Sequence, residues 1–271
     1  MLWRARNASV PIGRTAMDYV SFGYGARPLV LLPGLSDGLA SVKGKALLLA
    51  PSYRTFMKTH TVYLFSRKRS LPETYSIREM AANQAAAMKA LGISDAHVLG
   101  VSQGGMIAQY LASDHPELVG KLVLAVTAPC VNDSIRGCVG GWIQMAEQGD
   151  HRQLMADTAE KSYSESRLQS MRKWYPLLGK IGKPKDYGRF LTQARAILRF
   201  DAASELGKIS CPTLILAGAE DRVVGVEASY TLNARIPSSI LYVYPGLGHA
   251  LYEEAKDFNS RVCRFLISGN A

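Results

Sequence analysis

The chain has 271 residues, of which 48% are apolar and 20% charged, so it can bury a sizeable core in one large domain or two small ones. This composition excludes an intrinsically disordered chain, and no apolar run approaches the roughly 20 residues of a membrane-spanning helix. The formal net charge is +10, and residues 39–72 contain seven Lys or Arg but no Asp or Glu. A solvated basic surface is the simplest interpretation; attraction of an anionic substrate and nucleic-acid binding are the alternatives.

The N-terminus and the cysteines bear on localisation. The first residues, MLWRARNASVPIG, lack the apolar segment of a secretory signal. The four cysteines have neither paired spacing nor a C-x-x-C motif, so we expect free thiols rather than disulfides or zinc ligands. The sequence therefore predicts a cytoplasmic protein.

Apolar runs that alternate with helical patterns predict the secondary structure in chain order. Ala16–Phe22 alternates and ends in Gly23-Tyr24-Gly25, which indicates a hairpin into a buried strand at Pro28–Pro33. Further strands are predicted at Thr61–Phe65, Ala96–Val101, Lys121–Val126, Pro212–Ala217 and Ile240–Tyr244. Helices are predicted at Ser76–Leu91, Gln103–Ala112, Val226–Arg235 and Tyr252–Ile267. Continuously apolar strands separated by helices are typical of an α/β fold with a mostly parallel sheet covered on both faces.

One long segment interrupts this alternation. Residues 130–208 show amphipathic helical patterns and no convincing strand. We therefore expect an α/β core formed by residues 1–129 and 209–271, and a helical cap formed by residues 130–208 that is inserted between two of its strands. Such a cap would lie above the carboxyl edge of the sheet, where open α/β sheets bind their ligands.

The strongest motif, Gly100–Gly104 (GVSQG), lies between a predicted strand and a predicted helix. A sharp strand-to-helix turn needs glycines two residues before and after the serine, because a Cβ there would collide across the turn. The turn would expose the Ser102 hydroxyl as a nucleophile and direct the N–H of Gln103 toward an oxyanion. A second donor is expected from the N–H of Leu35, after the turn at Gly34. A glycine-rich turn with a serine helix cap is the alternative.

A serine nucleophile also needs a base and an acid that orients the base. His249 lies in the glycine-flexible loop Pro245–Ala250, between the last strand and the last helix, and is the predicted base. The other histidines are predicted to be structural: His60, His97, His115 and His151. Asp221 follows the strand Pro212–Ala217 and is expected to fix the imidazole tautomer. Glu220 is the competing acid, and helix capping by Asp221 is the other alternative.

With these residues in place, the chain resembles the α/β-hydrolase superfamily over about residues 15–268. The resemblance is to its small, cap-bearing branch of esterases, lactonases and carbon–carbon bond hydrolases. It rests on the serine motif, the GxxD at Gly218–Asp221 and the Gly248-His249 pair, which follow the family order of nucleophile, acid and base. The glycines at 23 and 25 and His115-Pro116-Glu117 also match family positions.

The chain departs from the family pattern at three places. Pro33-Gly34 replaces a His-Gly pair that many members have, and Gly225 stands where a proline is common after the acid. The usual acidic, glycine-containing turn after the fourth strand is replaced by Ser66–Ser70 (SRKRS). This last change is expected to make the pocket rim more basic.

These residues together predict a serine hydrolase of a small carboxylic ester, thioester or lactone, which forms an acyl-enzyme and needs no metal or organic cofactor. Carbon–carbon bond hydrolysis of diketone-like acids, and a slow-turnover ligand sensor on the same scaffold, stay open. Trp142, Met145 and Trp174 are candidate pocket residues of the cap, with core packing as the alternative for each. The expected partner is a small-molecule substrate, with an anionic one open, and neither nucleic acid nor membrane. The sequence leaves homo-oligomer formation open.

Overall fold

A single sheet organises the molecule. The computed structural model describes residues 2–179 and 182–269. The strands are β1 (Arg6–Ile12), β2 (Thr15–Gly23), β3 (Arg27–Leu32), β4 (His60–Lys68), β5 (Ala96–Val101), β6 (Val119–Ala125), β7 (Thr213–Gly218) and β8 (Ser239–Tyr244). They are ordered β1-β2-β4-β3-β5-β6-β7-β8. The pairs β1–β2 and β2–β4 are antiparallel and the other pairs parallel, which confirms the predicted mostly parallel α/β sheet.

Helices cover both faces of this sheet. They are α1 (Ala46–Leu49), α2 (Ile77–Ala90), α3 (Gln103–Asp114), α4 (Asp133–Glu147), α5 (His151–Ser162), α6 (Glu165–Met171), α7 (Tyr175–Leu178), α8 (Gly188–Ile197), α9 (Val226–Arg235), α10 (Leu251–Glu254) and α11 (Phe258–Ile267). The start of α2 is fixed by a capping box, in which Ser76 and Glu79 each bond the other's backbone N–H. Short 3₁₀ helices include Leu35–Gly38 after β3 and Ala50–Phe56 before β4.

Two buried apolar clusters fill the space between the sheet and its helices. Strands β3 and β5 contribute to both clusters, because alternate side chains of a strand point to opposite faces. This burial on both faces explains why the central parallel strands are almost continuously apolar in sequence. It also fixes the strand ends, so that loops after β3, β5, β7 and β8 meet at the carboxyl edge.

Residues 130–208 connect β6 to β7 and contain α4 to α8. In the described part of this segment the β structure is limited to an isolated bridge between Cys130 and Asp201. Its buried side chains, such as Ile135 and Phe190, belong to the same apolar cluster as β3 and β5. Helix α8 packs directly against Leu35–Gly38, where a Cβ added to Gly38 would lie 2.7 Å from the Cα of Phe190. The segment is therefore joined to the sheet by one continuous core.

Three local predictions need correction. The glycines at 23 and 25 do not form a hairpin, because β2 pairs with β1 and β4 while β3 lies one strand further on. Strand β1 was missed, since it is an exposed edge strand that contains Pro11. The final helix is interrupted between Glu254 and Phe258, which separates α10 from α11. None of the helices described is long and apolar enough to cross a membrane.

Candidate active site

The serine at the end of β5 occupies a strained turn. Ser102 has φ 53° and ψ −120°, a backbone conformation that is uncommon for a residue with a side chain. A Cβ on Gly100 would lie 2.5 Å from the carbonyl oxygen of Gly104, and a Cβ on Gly104 would collide with the carbonyl oxygen of Leu32. Both glycines are thus needed for the strand and the helix to approach this closely. The half-buried Ser102 side chain stands at the carboxyl edge of the sheet.

Three side chains from separate loops meet at this edge. The Nε2 atom of His249 lies 3.0 Å from Oγ of Ser102, and its Nδ1 atom lies 2.8 Å from Oδ2 of Asp221. A carboxylate accepts hydrogen bonds, so the proton of the neutral imidazole is on Nδ1 and Nε2 is free to accept the serine proton. The hydroxyl, the imidazole and the carboxylate therefore form one hydrogen-bonded series.

Asp221 is held by its own loop as well as by the imidazole. Its Oδ1 atom accepts the N–H groups of Val223 and Val224 at 2.8 and 3.0 Å. Burial alone would raise the pKa of Asp221, but the charge and hydrogen bond of His249 and these two backbone donors outweigh burial and lower the pKa. The carboxylate is thus ionised at neutral pH. Of the two acids considered, the structure brings Asp221 to His249 and leaves Glu220 exposed.

Two residues next to Ser102 and Gly34 have backbone N–H groups without acceptors in the described part of the chain. Gly34 packs against Ser102, since a Cβ on Gly34 would lie 3.3 Å from Cβ and 3.8 Å from Oγ of the serine. Leu35 is the next residue, and Gln103 opens helix α3. Across the described ranges, neither the N–H of Leu35 nor that of Gln103 has an intramolecular acceptor. They are available to an oxyanion held by Ser102.

A buried arginine joins the two loops that carry these donors. Arg67 is 4% exposed, and its Nη2 atom donates to the carbonyl of Pro33 at 2.6 Å and to Oε1 of Gln103 at 3.1 Å. Burial lowers the pKa of the Arg67 guanidinium, and the nearby Asp37 carboxylate opposes this shift. The expectation that Ser66–Ser70 makes the pocket rim basic is wrong for Arg67, which points inward, and for Arg69, which pairs with Asp18.

The same network extends to helix α8. Arg189 pairs with the buried Asp37 at 2.7 Å and donates to the carbonyls of Asp37, Arg67 and Lys68. Gln103 donates through Nε2 to the carbonyl of Gln193 at 2.9 Å. Helix α8 is therefore tied to both segments that carry the unpartnered N–H groups, through the charged bonds of Arg189 to Asp37 and the neutral bond of Gln103 to Gln193. Sequence reasoning missed this network, because the bonded residues are far apart in the chain and form no local motif.

A cavity of about 300 Å³ opens beside the serine. Its lining includes Gly34 and Val101, which directly adjoin Leu35 and Ser102, together with Ser36, Ser41 and Lys45. A second cavity of about 470 Å³ shares Tyr53, Val101, Tyr252 and Glu253 with the first. The first cavity is at the small end of the range of ligand pockets, about 300–1,000 Å³.

The three residues of the insertion that were predicted to line the substrate pocket do not line either of these two cavities. Trp142 is buried and donates its indole N–H to Asp157 at 2.8 Å. Met145 packs against the apolar core, and Trp174 is 56% exposed. None of them lines the two cavities beside Val101. The prediction is therefore corrected: an apolar residue at helical spacing fits core packing as well as a pocket.

Two other histidines form a separate buried pair. Arg27 donates through Nε to Nε2 of His97 at 3.4 Å, and Nδ1 of His97 lies 2.9 Å from Nε2 of His60. The Nδ1 atom of His60 lies 2.8 Å from Oγ1 of Thr59. Burial first, and then the charge of Arg27, lower the pKa of His60; burial, His60 and Arg27 lower that of His97 to about 3. Both rings are neutral and lie at the amino end of the sheet, away from Ser102.

The described residues contain no cluster of three His, Cys, Asp or Glu side chains arranged to hold a metal ion. The candidate active site itself brings several reactive groups together. It has an alcohol beside an imidazole, a carboxylate that fixes the imidazole and two N–H donors next to the alcohol. This set matches what acyl transfer through a covalent intermediate requires.

Several known proteins are similar to this chain over most of its length. A family model described as alpha/beta hydrolase fold matches residues 27–256. A Caulobacter (strain K31) protein that bears the name of a carbamate hydrolase, RutD, is 29% identical over 251 residues, 88% of this chain and 90% of that protein. A Pseudomonas protein named 2-hydroxy-6-oxononadienedioate/2-hydroxy-6-oxononatrienedioate hydrolase is 28% identical over 215 residues, 73% of each chain.

Solved structures agree in fold. The crystal structure of MGS-M2, an alpha/beta hydrolase enzyme from a deep-sea metagenome library of the Medee basin, superposes with a TM-score of 0.84. The match covers 97% of this chain and 98% of that one at 20% sequence identity. At this identity the likeness concerns the arrangement of strands and helices.

Proposed function

We propose that this chain, which belongs to the α/β-hydrolase fold family, is a serine hydrolase. Its proposed substrate is a small carboxylic ester, thioester or lactone. In this proposal Ser102 is the nucleophile, His249 the general base and acid, and Asp221 the orienting acid. The N–H groups of Leu35 and Gln103 bind the oxyanion. The substrate is a small molecule that enters beside Gly34.

The observation that carries this proposal is the hydrogen-bonded series from Ser102 through His249 to Asp221, with contacts of 3.0 and 2.8 Å. A serine hydroxyl is a weak nucleophile unless a base accepts its proton as it attacks. The Nε2 lone pair is within hydrogen-bond reach of that proton. The ionised Asp221 stabilises the imidazolium that the transfer creates.

The reaction follows from this arrangement. Oγ of Ser102 attacks the substrate carbonyl while its proton moves to Nε2 of His249, and the carbonyl oxygen becomes an anion held by Leu35 and Gln103. The tetrahedral intermediate collapses as His249 returns a proton to the leaving alcohol or thiol. Water then attacks the acyl-enzyme with His249 again as the base, which releases the acid and restores the serine.

Arg67 supports this proposal as a positioning residue. It bonds to Pro33 on one oxyanion loop and to Gln103 on the other, so one buried guanidinium sets the spacing between the two donors. Donors contribute most to an oxyanion when they are fixed before the charge develops. Arg67 does not itself touch the reacting atoms.

A second candidate function is hydrolysis of a carbon–carbon bond in a diketone-like acid. What favours it is the 28% identity to the Pseudomonas 2-hydroxy-6-oxononadienedioate/2-hydroxy-6-oxononatrienedioate hydrolase. The same serine, imidazole and carboxylate would serve, with a carbanion as the leaving group. The Caulobacter relative adds carbamates, which are also attacked at a carbonyl, to the substrates worth assaying.

Turnover of p-nitrophenyl esters tests the proposal. We expect Ser102→Ala to lower kcat by about 10⁴-fold or more, because the alcohol and the base act as a unit. Ser260→Ala, which removes an exposed serine on α11, is the matched control and should retain wild-type rates. Equal activity of the wild type and Ser102→Ala would reject Ser102 as the nucleophile. Cleavage of vinylogous diketone acids without esterase activity would favour the second candidate.

A further inference from the structure

The cavity beside Gly34 carries unused hydrogen-bond donors. Ser36, Ser41 and Lys45 all line it, and Ser41 and Lys45 are half-buried. Within residues 2–179 and 182–269, no ion pair or hydrogen bond engages the Lys45 ammonium, and the hydroxyls of Ser36 and Ser41 likewise have no partner. Hydroxyls and an ammonium around one small space form a binding site for an anionic oxygen group.

Three charged residues line this cavity, namely Lys45, Asp37 and Glu253. Asp37 also lines the cavity, but its carboxylate is already paired with Arg189. Glu253 accepts the hydroxyl of Tyr163 at 2.6 Å and also lines the second cavity, whose lining does not include Lys45. Lys45 is the lining residue whose charged group has no hydrogen bond or ion pair within the described ranges, which leaves its ammonium available to a ligand. Lys45 belongs to the acid-free stretch 39–72.

The position of the cavity assigns it to one half of the substrate. His249 must reach the leaving-group oxygen to protonate it, so the leaving group lies on the imidazole side of the carbonyl. The cavity is lined by the oxyanion loop at Gly34 and Ser36, and its lining includes neither His249 nor Asp221. The acyl chain lies on the other side of the carbonyl, and Gly34, which packs against Ser102 and lines the cavity, connects that side to it.

We propose that this cavity is an acyl subsite in which Lys45, assisted by Ser36 and Ser41, binds a carboxylate at the far end of the acyl group. The natural substrate is then a monoester or monothioester of a short dicarboxylic acid, or a lactone of a hydroxydicarboxylic acid that keeps its second carboxylate free. The inference rests on the proposed function of Ser102. It specifies the acyl half of the substrate, which the reaction mechanism alone does not determine.

Two esters of equal chain length test it: mono-p-nitrophenyl adipate, with a terminal carboxylate, and p-nitrophenyl hexanoate, without one. We expect Lys45→Met to lower the ratio of their kcat/KM values, adipate over hexanoate, about tenfold, and Lys45→Glu to lower it further. Lys43→Met is the matched control, because this exposed lysine makes the same change in net charge outside the cavity. Its ratio should stay within about twofold of the wild-type ratio.

A binding measurement separates this inference from the proposed function. Calorimetry on the Ser102→Ala protein, which needs no turnover, should show monomethyl adipate binding about tenfold more tightly than methyl hexanoate. Addition of Lys45→Met should abolish that difference. Equal ratios for the wild type and Lys45→Met, equal losses in Lys43→Met and Lys45→Met, or equal binding of the two methyl esters would each overturn the subsite. The role of Ser102 would be unaffected by such results.

Discussion

Replacement of Arg67 by Met tests whether the buried guanidinium positions the oxyanion donors. Met keeps the apolar stem of the side chain but lacks the guanidinium, so it cannot donate the bonds to the carbonyl of Pro33 and to Oε1 of Gln103. Loss of a hydrogen bond donated by a charged group costs about 1.5–3 kcal/mol. We expect the free energy of unfolding to fall by about that amount, measured by urea titration. A domain with a stability of about 5–15 kcal/mol can stay folded after this loss.

The effect on turnover follows from what Arg67 contacts. Removal of an oxyanion donor itself lowers kcat by about 10²–10³. Arg67 only positions the donors of Leu35 and Gln103, so we expect kcat for p-nitrophenyl hexanoate to fall by about 10- to 100-fold, with KM changed little. Arg67→Lys, which keeps the charge and one donor, should recover part of the loss.

Arg69→Met is the matched control, because Arg69 pairs with Asp18 and, among the described residues, makes no hydrogen bond or ion pair with Pro33 or Gln103. It should keep the wild-type kcat. A folded Arg67→Met protein with kcat within twofold of the wild type would refute the positioning role. A rise in KM at constant kcat would also contradict it, since that pattern indicates lost ground-state binding.

Three further predictions concern other parts of the structure. Asp221→Asn should lower kcat by about 10⁴-fold without unfolding the protein. The reason is that an amide can present an N–H to the imidazole of His249, which favours the wrong tautomer. Ester turnover measures the loss of kcat, and circular dichroism checks that the protein is folded. Native His97 has a pKa of about 3, whereas the unfolded chain has a value near 6.5. The contribution of neutral His97 to the free energy of unfolding is therefore complete above pH 6.5 and is lost as the pH falls from 6.5 toward 3. Urea titrations should show about 1–2 kcal/mol less stability at pH 5 than at pH 7 from this group, and a His97→Gln protein should lose that part of the pH dependence. Gly104→Ala forces a Cβ onto the carbonyl oxygen of Leu32, so thermal denaturation should show that the free energy of unfolding falls by at least about 1–3 kcal/mol. A melting temperature equal to that of the wild type would contradict the close approach of Gly104 and Leu32.

The central strands were predictable because each one coincides with a short apolar run in the sequence. Burial on both faces requires continuous apolar runs, and β5, β6 and β7 were predicted within two residues of their ends. Their order was not predictable in the same way. Nothing near β2 in sequence indicates that β4, about 40 residues later, pairs with it in place of β3. Strand pairing depends on long-range packing, which single-sequence patterns do not contain.

The candidate site divides along the same line. Ser102, Asp221 and His249 each lie in a short motif whose glycines or strand context point to a role. The contact between Arg189 and Asp37 joins residues 152 positions apart, and neither residue stands in a recognisable motif. Buried charges need partners, but the sequence does not say which. A basic turn at Arg67 was therefore expected at the surface.

The most direct measurement of the central claim is the mass of the peptide that contains Ser102 after rapid acid quench of the wild-type protein with p-nitrophenyl hexanoate. The account predicts a hexanoyl group on Ser102, formed together with a burst of p-nitrophenol, and no such group in the Ser102→Ala protein. Turnover with no acyl group on Ser102, or an acyl group on another residue that hydrolyses at the rate of turnover, would contradict it.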